Sequence, residues 1–405
     1  MYEFIEGIKE KEYRDFILKN SQTSFMQDPS WGKVKKSWKN ILCGVKEKRK
    51  LKAVFSILIK PLPLGKTLFY IPRGYVVDFT DISLLKFITK EVFTLAKKYH
   101  AYAVKIDPNF CCSEKSILEI TKDEPVEIPL SYSNNYQEKH ENLLLCGYIH
   151  KGFKKNLSDY LQPRYQMAIP LIDKNFNFLN IEDVKQNFNK RIRNHFDSYL
   201  EKRGVYFYHT NDIKFLDEFI KVINETEKRQ NINLRNYSYF ENIMKNYKEN
   251  AHLFFGEIDL LKYQKFLEET KASQEEIDMV NSYINEGKTT ITSTASLVIL
   301  PPNKDGIRTS EYLYAGNNLL IPKLRVSNAL IYEICKFSLE NNCHYCNLGG
   351  VSGNFDDHLT TFKSKFNPIV LEFIGEYDLV INKWLYYLIE KFLPILKKIY
   401  KKIRK

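Results

Sequence analysis

Apolar and polar positions along this chain follow two alternating rhythms, one of period two or continuous and one of period 3.6. KEYRDFILKN (11–20) predicts a helix, and KAVFSILIKPL (52–62), almost continuously apolar, predicts a buried strand. A Pro/Gly turn and short strand follow in LPLGKTLFYIPRG (62–74). DISLLKFITKEVFTLAKKYH (81–100) predicts a long amphipathic helix with Asp81 as its cap, and AYAVKID (101–107) a strand. A second set begins near residue 148, with a basic helix over about 181–203 that stops before Gly204. The strand VYFYH (205–209) and a helix over about 210–226 come next. Residues 262–288 are charged and helix-forming, with Gly287 placed to end them, which predicts a short helical hairpin projecting from the second domain. Strands return in TTITSTASLVILPP and EYLYAG, then the helix SNALIYEICKFSLENN and a strand around HYCNLGG.

The last 23 residues, KWLYYLIEKFLPILKKIYKKIRK (383–405), carry the clearest helical pattern. At about 100° per residue Trp384, Leu385, Leu388, Phe392, Leu396, Ile399 and Ile403 share one face. Lys383, Glu390, Lys391, Lys397, Lys398, Lys401, Arg404 and Lys405 lie opposite, Lys402 falls at the border, and Pro394 predicts a kink or a restart. Such a helix suits an anionic membrane interface, at about 1 kcal/mol per basic residue. A terminal helix docked on the core with a solvated back has the same pattern, and both readings stay open.

A length of 405 residues exceeds one ordinary core and predicts two domains. The 44% hydrophobic and 27% charged content is that of a folded protein, so both domains should fold. A net charge of +12 favours polyanions: nucleic acid, pyrophosphate or an anionic membrane. Seven scattered cysteines fit a reducing compartment. CHYC (343–346) lacks a second Cys/His pair at zinc spacing, so two half-buried thiols is the better reading and no metal is expected. The amino terminus is charged from its third residue, with no apolar signal-like segment. No run approaches the roughly 18 apolar residues of a membrane span, which predicts a cytoplasmic protein.

Seven short motifs hold the candidate chemistry: SFMQDPSWGKVKKSW (24–38), YIPRGYVVDF (70–79), the strand with Tyr102 before Asp107, and LQPRYQMAIPL (161–171) with NKRIRNHFDSYLEKRGV (189–205). RQNINLRNYSYFENIM (229–244), EYLYAGNN (311–318) and NLGGVSGNFDDHLTTFKSKFNPIVLEFIGEYD (347–378) complete the set. Their order and spacing over essentially the whole chain resemble the FemABX family, transferases that use aminoacyl-tRNA to build the cross-bridge of peptidoglycan. YIPRG, QPR, the Arg235–Tyr239 pair and FKxxF carry the likeness most specifically. The resemblance implies an α/β (α+β) fold of two acetyltransferase-like (GNAT) domains, each a mixed sheet with flanking helices. Domain 1 would be 1–147 completed by 375–405, and domain 2 would be 148–374 with residues 262–288 as a short arm. It implies aminoacyl-tRNA as co-substrate with no further cofactor, and lipid II or a UDP-linked muropeptide as acceptor. It also implies a place at the inner membrane face, held by the C-terminal helix, beside related bridge-forming transferases.

The resemblance also assigns residues. Lys35 and Arg235 become a phosphate clamp, the bidentate fork and fixed charge that a pyrophosphate needs. Tyr239, one helical turn past Arg235, meets the same ligand, and Tyr102 and Tyr314 are further walls of that pocket. Asp107 is a positioning carboxylate and a candidate base for an attacking amine, which at a pKa of about 10.4 must lose a proton. Its local sequence equally supports an Asp-Pro turn. Glu376 is a second acidic candidate. Lys363 would meet the tRNA end or a tetrahedral oxyanion, and Phe362 would stack on a terminal base for about 1–3 kcal/mol. Lys190, Arg191, Arg193, Lys202 and Arg203 could track RNA phosphates. Asn347 stands where such proteins often carry aspartate. An acyl-CoA-dependent N-acyltransferase is the nearest rival, but no Q/R-x-x-G-x-G/A loop occurs in the chain. A nucleic-acid binder without chemistry is the rival of another class.

Overall fold

The computed structural model describes residues 1–20 and 23–392. In chain order the strands of its first lobe begin with β1 (Tyr2–Glu6), β2 (Lys39–Glu47), β3 (Lys50–Pro61), β4 (Thr67–Ile71) and β5 (Ala101–Ile106). Then come β6 (Cys111–Ser116), β7 (Ile149–His150), β8 (Tyr165–Pro170), β9 (Val205–Thr210) and β10 (Ala251–Asp259). The remaining strands are β11 (Thr290–Ile299), β12 (Thr309–Asn317), β13 (Tyr345–Val351), β14 (Ile369–Phe373) and β15 (Tyr377–Val380). They form two mixed sheets, in the orders β1-β2-β3-β4-β5-β15-β7 and β6-β14-β8-β13-β12-β11-β10-β9. Each sheet has one parallel pair near its middle, β4 with β5 and β12 with β13. The lobes exchange strands: β15, from near the carboxyl end, pairs with β5, while β6, from the amino-terminal half, pairs with β14.

The helix Ile82–Lys98 shows how the sequence pattern becomes packing. Asp81 Oδ1 accepts the Leu84 N–H at 2.9 Å, a cap worth about 1 kcal/mol. Leu84, Leu85, Ile88, Val92 and Leu95 then bury one stripe against the first sheet. A separate core joins the lobes: Phe25, Met26, Trp31 and Val34 pack with Phe219, Phe240, Ile243 and Leu253. Each fully buried side chain of this size contributes about 1.5–3 kcal/mol. That shared core fixes the residue just after Val34, which is Lys35.

Three expectations need correction. The single basic helix over 181–203 is three short ones, Ile181–Gln186, Lys190–Arg193 and Ser198–Glu201. Asn180 and Asn189 cap the first two through Asp183 N (2.9 Å) and Arg191 N (3.0 Å), and Asp197 takes a positive φ between the second and third. Asparagine competes for backbone groups inside a helix and serves well at its start, so each one restarts the chain. The next helix runs Leu216–Gln230, because β9 continues to Thr210 and a 3₁₀ turn intervenes. Residues 262–288 do form a hairpin, Leu260–Glu269 with Gln274–Asn285, ended by Gly287 at φ +81°. It lies against the second lobe, whose core takes in Tyr263, Leu267 and Val280.

At the carboxyl end the described residues stop at Phe392, so the expected kink at Pro394, Leu396, Ile399 and Ile403 of the apolar face, and Lys397, Lys398, Lys401, Lys402, Arg404 and Lys405 lie outside them. Within the described part Tyr386 turns inward, and the Glu390 carboxylate meets Lys105 and Lys151. Trp384, Tyr387, Leu388 and Phe392 are exposed, Trp384 to 90%. The segment therefore docks partly through its polar side and presents aromatic residues outward.

Candidate functional site

A cleft of about 610 Å³ lies over the inter-lobe core. One wall comes from the helix Pro29–Val34, started by Asp28, whose Oδ1 accepts the Ser30 N–H at 2.7 Å, and by a proline at the first helical position. Trp31 and Val34 are buried below, which leaves Lys35 at the rim. The opposite wall starts with Arg235 just ahead of the helix Tyr237–Tyr247, which Asn236 caps through Tyr239 N at 3.1 Å. Arg235 therefore does not sit one helical turn from Tyr239 as the spacing suggested; it reaches the ring from the preceding loop. Lys35 Nζ lies 4.5 Å from the Trp31 ring centre and 5.2 Å from that of Tyr239. The Arg235 guanidinium is 5.2 Å from the same Tyr239 ring, and the Tyr314 hydroxyl donates to that of Tyr239 at 3.3 Å. Two cations thus share one aromatic ring. No acidic side chain lines the cleft among the described residues. Burial first, and Arg235 second, push the Lys35 ammonium down to about 8. Uncompensated like charges beside aromatic and amide groups make an anion site.

Asp107 follows the end of β5 and is buried. Its Oδ1 accepts the Arg73 N–H at 2.9 Å, while Oδ2 has no well-formed hydrogen bond. The YIPRG motif explains this geometry. Arg73 (φ +57°) and Gly74 (φ +72°) turn the chain tightly beneath the Asp-Pro step, and a Cβ on Gly74 would stand 3.1 Å from Pro108 Cα. Gln27 Nε2 braces that turn at the Arg73 and Gly74 carbonyls, at 3.0 and 3.3 Å. Asp107 is therefore both a turn-holder and a carboxylate on which the Tyr70 hydroxyl acts. Burial raises its pKa to about 7 against the lowering effects of Arg73 and Tyr70. Tyr70 connects it to the cleft: Tyr70 lines that cleft, and its hydroxyl accepts from Gln162 Nε2 at 3.3 Å.

Tyr102 and Glu376 lie elsewhere. Lys105 and Lys151 form a buried network with Glu376, Asp378 and Glu390 at 2.9–3.4 Å. The Tyr102 hydroxyl donates to Glu390 at 2.9 Å, so Tyr102 is no wall of the cleft; the strand exchange of β15 next to β5 draws it into this network. Glu376 also accepts the Leu161 N–H at 3.2 Å, and burial raises its pKa against the effect of Lys105.

Lys363 ends the helix His358–Lys363, which Asp357 caps through Thr360 N at 2.9 Å. Its buried Nζ donates to the Gly350 carbonyl at 2.8 Å, and burial pushes its pKa down to about 7. Phe362 is half-buried on the second-lobe core, edge-on to Phe366 at 5.7 Å. Cys343 and Cys346 are fully buried rather than half-buried.

One short segment connects these parts. Leu161 binds Glu376, and Gln162 lines the cleft and binds Tyr70. Pro163 packs on Gly350, where a Cβ would come within 2.4 Å of it, and Arg164 pairs with Glu372 at 2.5 Å. Tyr70, Arg73 and Gln162 were not singled out from the sequence; the YIPRG and QPR motifs that contain them were the available signal.

The comparisons with known proteins agree over the same span. The FemAB family model matches residues 8–276 and 267–393. The chain is similar to a lipid II:glycine glycyltransferase of Staphylococcus haemolyticus (strain JCSC1435), 28% identical over 432 residues that cover 97% of this chain and 96% of that one. The protein of the same name from Staphylococcus aureus (strain MRSA252) is also 28% identical, over 96% of both chains. Among solved structures, the crystal structure of FemX superposes with a TM-score of 0.76 at 24% identity, covering 96% of this chain and all of that one. A tandem GNAT protein from the clavulanic acid biosynthesis pathway superposes at 0.50 with 6% identity, over 94% and 99% of the two chains. These neighbours establish the fold as two GNAT-like domains.

Proposed function

The chain belongs to the FemAB family, and from that premise we propose that it moves an amino acid from aminoacyl-tRNA onto the stem-peptide amine of a peptidoglycan precursor, lipid II or a UDP-linked muropeptide, to build the interpeptide bridge. The observation that carries this reading is the acid-free pairing of Lys35 and Arg235 on the Tyr239 ring, one tyrosine away from the buried Asp107. Both kinds of acceptor hold a diphosphate between sugar and carrier, the group that such a clamp fits best. Both relatives are named for action on lipid II.

In the reaction the acceptor amine attacks the ester carbonyl of the charged tRNA. One N–H proton leaves the nitrogen, the ester C–O bond breaks, and the ribose oxygen departs with a proton. A carboxylate with a pKa near 7 is matched to moving that proton at neutral pH, which gives Asp107 its role as positioner and base. Lys363 in its protonated form, about half present at neutral pH, supplies the cation that a developing oxyanion requires, with its own Nζ held by the Gly350 carbonyl. No cofactor enters beyond the charged tRNA.

The outward aromatic row of the carboxyl-terminal segment supports a place at the anionic inner face of the membrane, where lipid II is anchored. No helix among the described residues is long and apolar enough to cross a membrane.

The test offers each charged tRNA in turn with lipid II or the UDP-muropeptide and identifies products by mass. The expected result is one aminoacyl unit added to the stem-peptide amine. No product from any charged tRNA, with transfer from an acyl-CoA instead, contradicts the proposal.

A further inference from the structure

Asp107 is only 5% exposed and, among the described residues, is not one that lines the cleft, whereas Tyr70 is. A base so enclosed needs a carrier between itself and an amine held in the cleft. The first sheet supplies one. β4 and β5 run parallel with Tyr70 opposite Lys105 and Ile71 opposite Ile106, so the alternation of side chains carries Asp107 to the side of Lys105 and Tyr70. The Arg73 N–H, three residues past Tyr70, ties Asp107 Oδ1 to the end of β4 at 2.9 Å. Tyr70 is itself fixed: its ring packs in the inter-lobe core with Trp31 and Leu58, and edge-on to Trp38 at 6.4 Å.

A phenol has one hydrogen to give and lone pairs with which to receive. Gln162 Nε2 donates to the Tyr70 oxygen at 3.3 Å, which turns the hydroxyl hydrogen away from Gln162 and leaves it for the Asp107 carboxylate. Asp107 Oδ2 has no well-formed hydrogen bond, so it can take up a proton without displacing a partner. Contacts of this kind are commonly long in a free enzyme and tighten around the substrate. The other charged groups that face Asp107 are Arg73 and Glu376, and among the described residues neither lines the cleft. Burial, and then the charge of Asp107, push the Tyr70 phenol up, so it hands a proton on and does not stay ionised.

This inference rests on the reading under Proposed function. We propose that Tyr70 is a catalytic residue that relays the proton of the acceptor amine from the cleft to Asp107. As the nitrogen bonds to the ester carbonyl carbon, its N–H proton moves to the Tyr70 oxygen while the Tyr70 O–H proton moves to Asp107 Oδ2. The carboxylate becomes a carboxyl, and the phenol is regenerated. When the ester C–O bond breaks, the same path in reverse returns the proton to the departing ribose oxygen, and Asp107 is again a carboxylate. Gln162 is the positioning residue that keeps the hydroxyl aimed.

The experiment measures kcat and KM for transfer to the UDP-muropeptide from a charged tRNA that the wild type uses. It compares the full chain with Tyr70→Phe, Asp107→Asn and the double variant, and titration calorimetry with the UDP-muropeptide checks the fold and the cleft of each. Tyr70→Phe keeps the ring and removes only the hydroxyl. It should lower kcat by about 10²- to 10⁴-fold with muropeptide affinity within about threefold of the wild type. Because both groups act on one proton, the double variant should match the worse single variant within about threefold. Losses that multiply in the double variant would mean separate roles and overturn the relay. An unchanged kcat in either single variant would overturn it too. So would a Tyr70→Phe loss confined to muropeptide affinity, which is what a mere wall of the cleft gives. A wild type inert with every charged tRNA overturns the reading of the function, and this inference with it.

Discussion

Two groups of charged residues lie within one chain and have opposite designs. Buried Lys105 and half-buried Lys151 pair with Glu376, Asp378 and Glu390, each cation meeting at least two carboxylates, with the Tyr386 hydroxyl on Asp378 at 2.7 Å. Lys35 and Arg235 meet at one tyrosine ring in a cleft that no acid lines among the described residues. The first group is complete in itself and ties the exchanged strand β15 and the carboxyl-terminal segment to the first sheet. The second is a charge imbalance that folding maintains through the shared aromatic core. A satisfied network speaks of architecture and an unsatisfied one of a ligand. Proximity to a motif does not make that distinction; the counter-charges do.

Asp107, whose Oδ2 has no well-formed hydrogen bond, gives the largest expected effect. Asp107→Asn should lower kcat by about 10²- to 10⁴-fold while the muropeptide KM stays near its wild-type value. An unchanged kcat in steady-state assays would reduce Asp107 to its turn.

Breaking the satisfied network should instead cost stability. Asp378→Asn leaves two lysines under-compensated and should destabilise the fold by about 3–5 kcal/mol in denaturant titration. A loss below about 1 kcal/mol would mean that water already compensates the cluster.

Acidity separates the regions more finely. The clamp holds its full charge below pH 7 and loses it as pH rises through about 8, where Lys35 deprotonates. Muropeptide affinity should therefore fall up to about tenfold per pH unit above 8, and Lys35→Arg should flatten that dependence. A flat wild-type profile would place the Lys35 charge outside the binding step.

The smallest effect belongs to the outward aromatic row. Replacing Trp384 and Phe392 with serine should weaken co-sedimentation with anionic vesicles by about 3- to 10-fold and leave transfer to soluble UDP-muropeptide unchanged. Equal sedimentation would assign the row to another role.

What the sequence disclosed, and what it concealed, follows the range of the interactions. The helix Ile82–Lys98 and its Asp81 cap were legible because a cap and a stripe are local patterns. Lys35, Arg235, Tyr239 and Tyr314, named through motif resemblance, do converge on one ring. Tyr102 did not join them, since its partner Glu390 stands 288 residues away and no local pattern announces that pairing. The broken helix over 181–203 was an error of weighting, its charges read ahead of its asparagines.

The cleft is the part of the molecule most directly open to test. Titration calorimetry of UDP-muropeptide against the wild type, Lys35→Met and Arg235→Met measures the clamp without any donor. Affinity should drop about 10- to 100-fold in each variant with the melting temperature unchanged. Wild-type affinity in both would contradict the account.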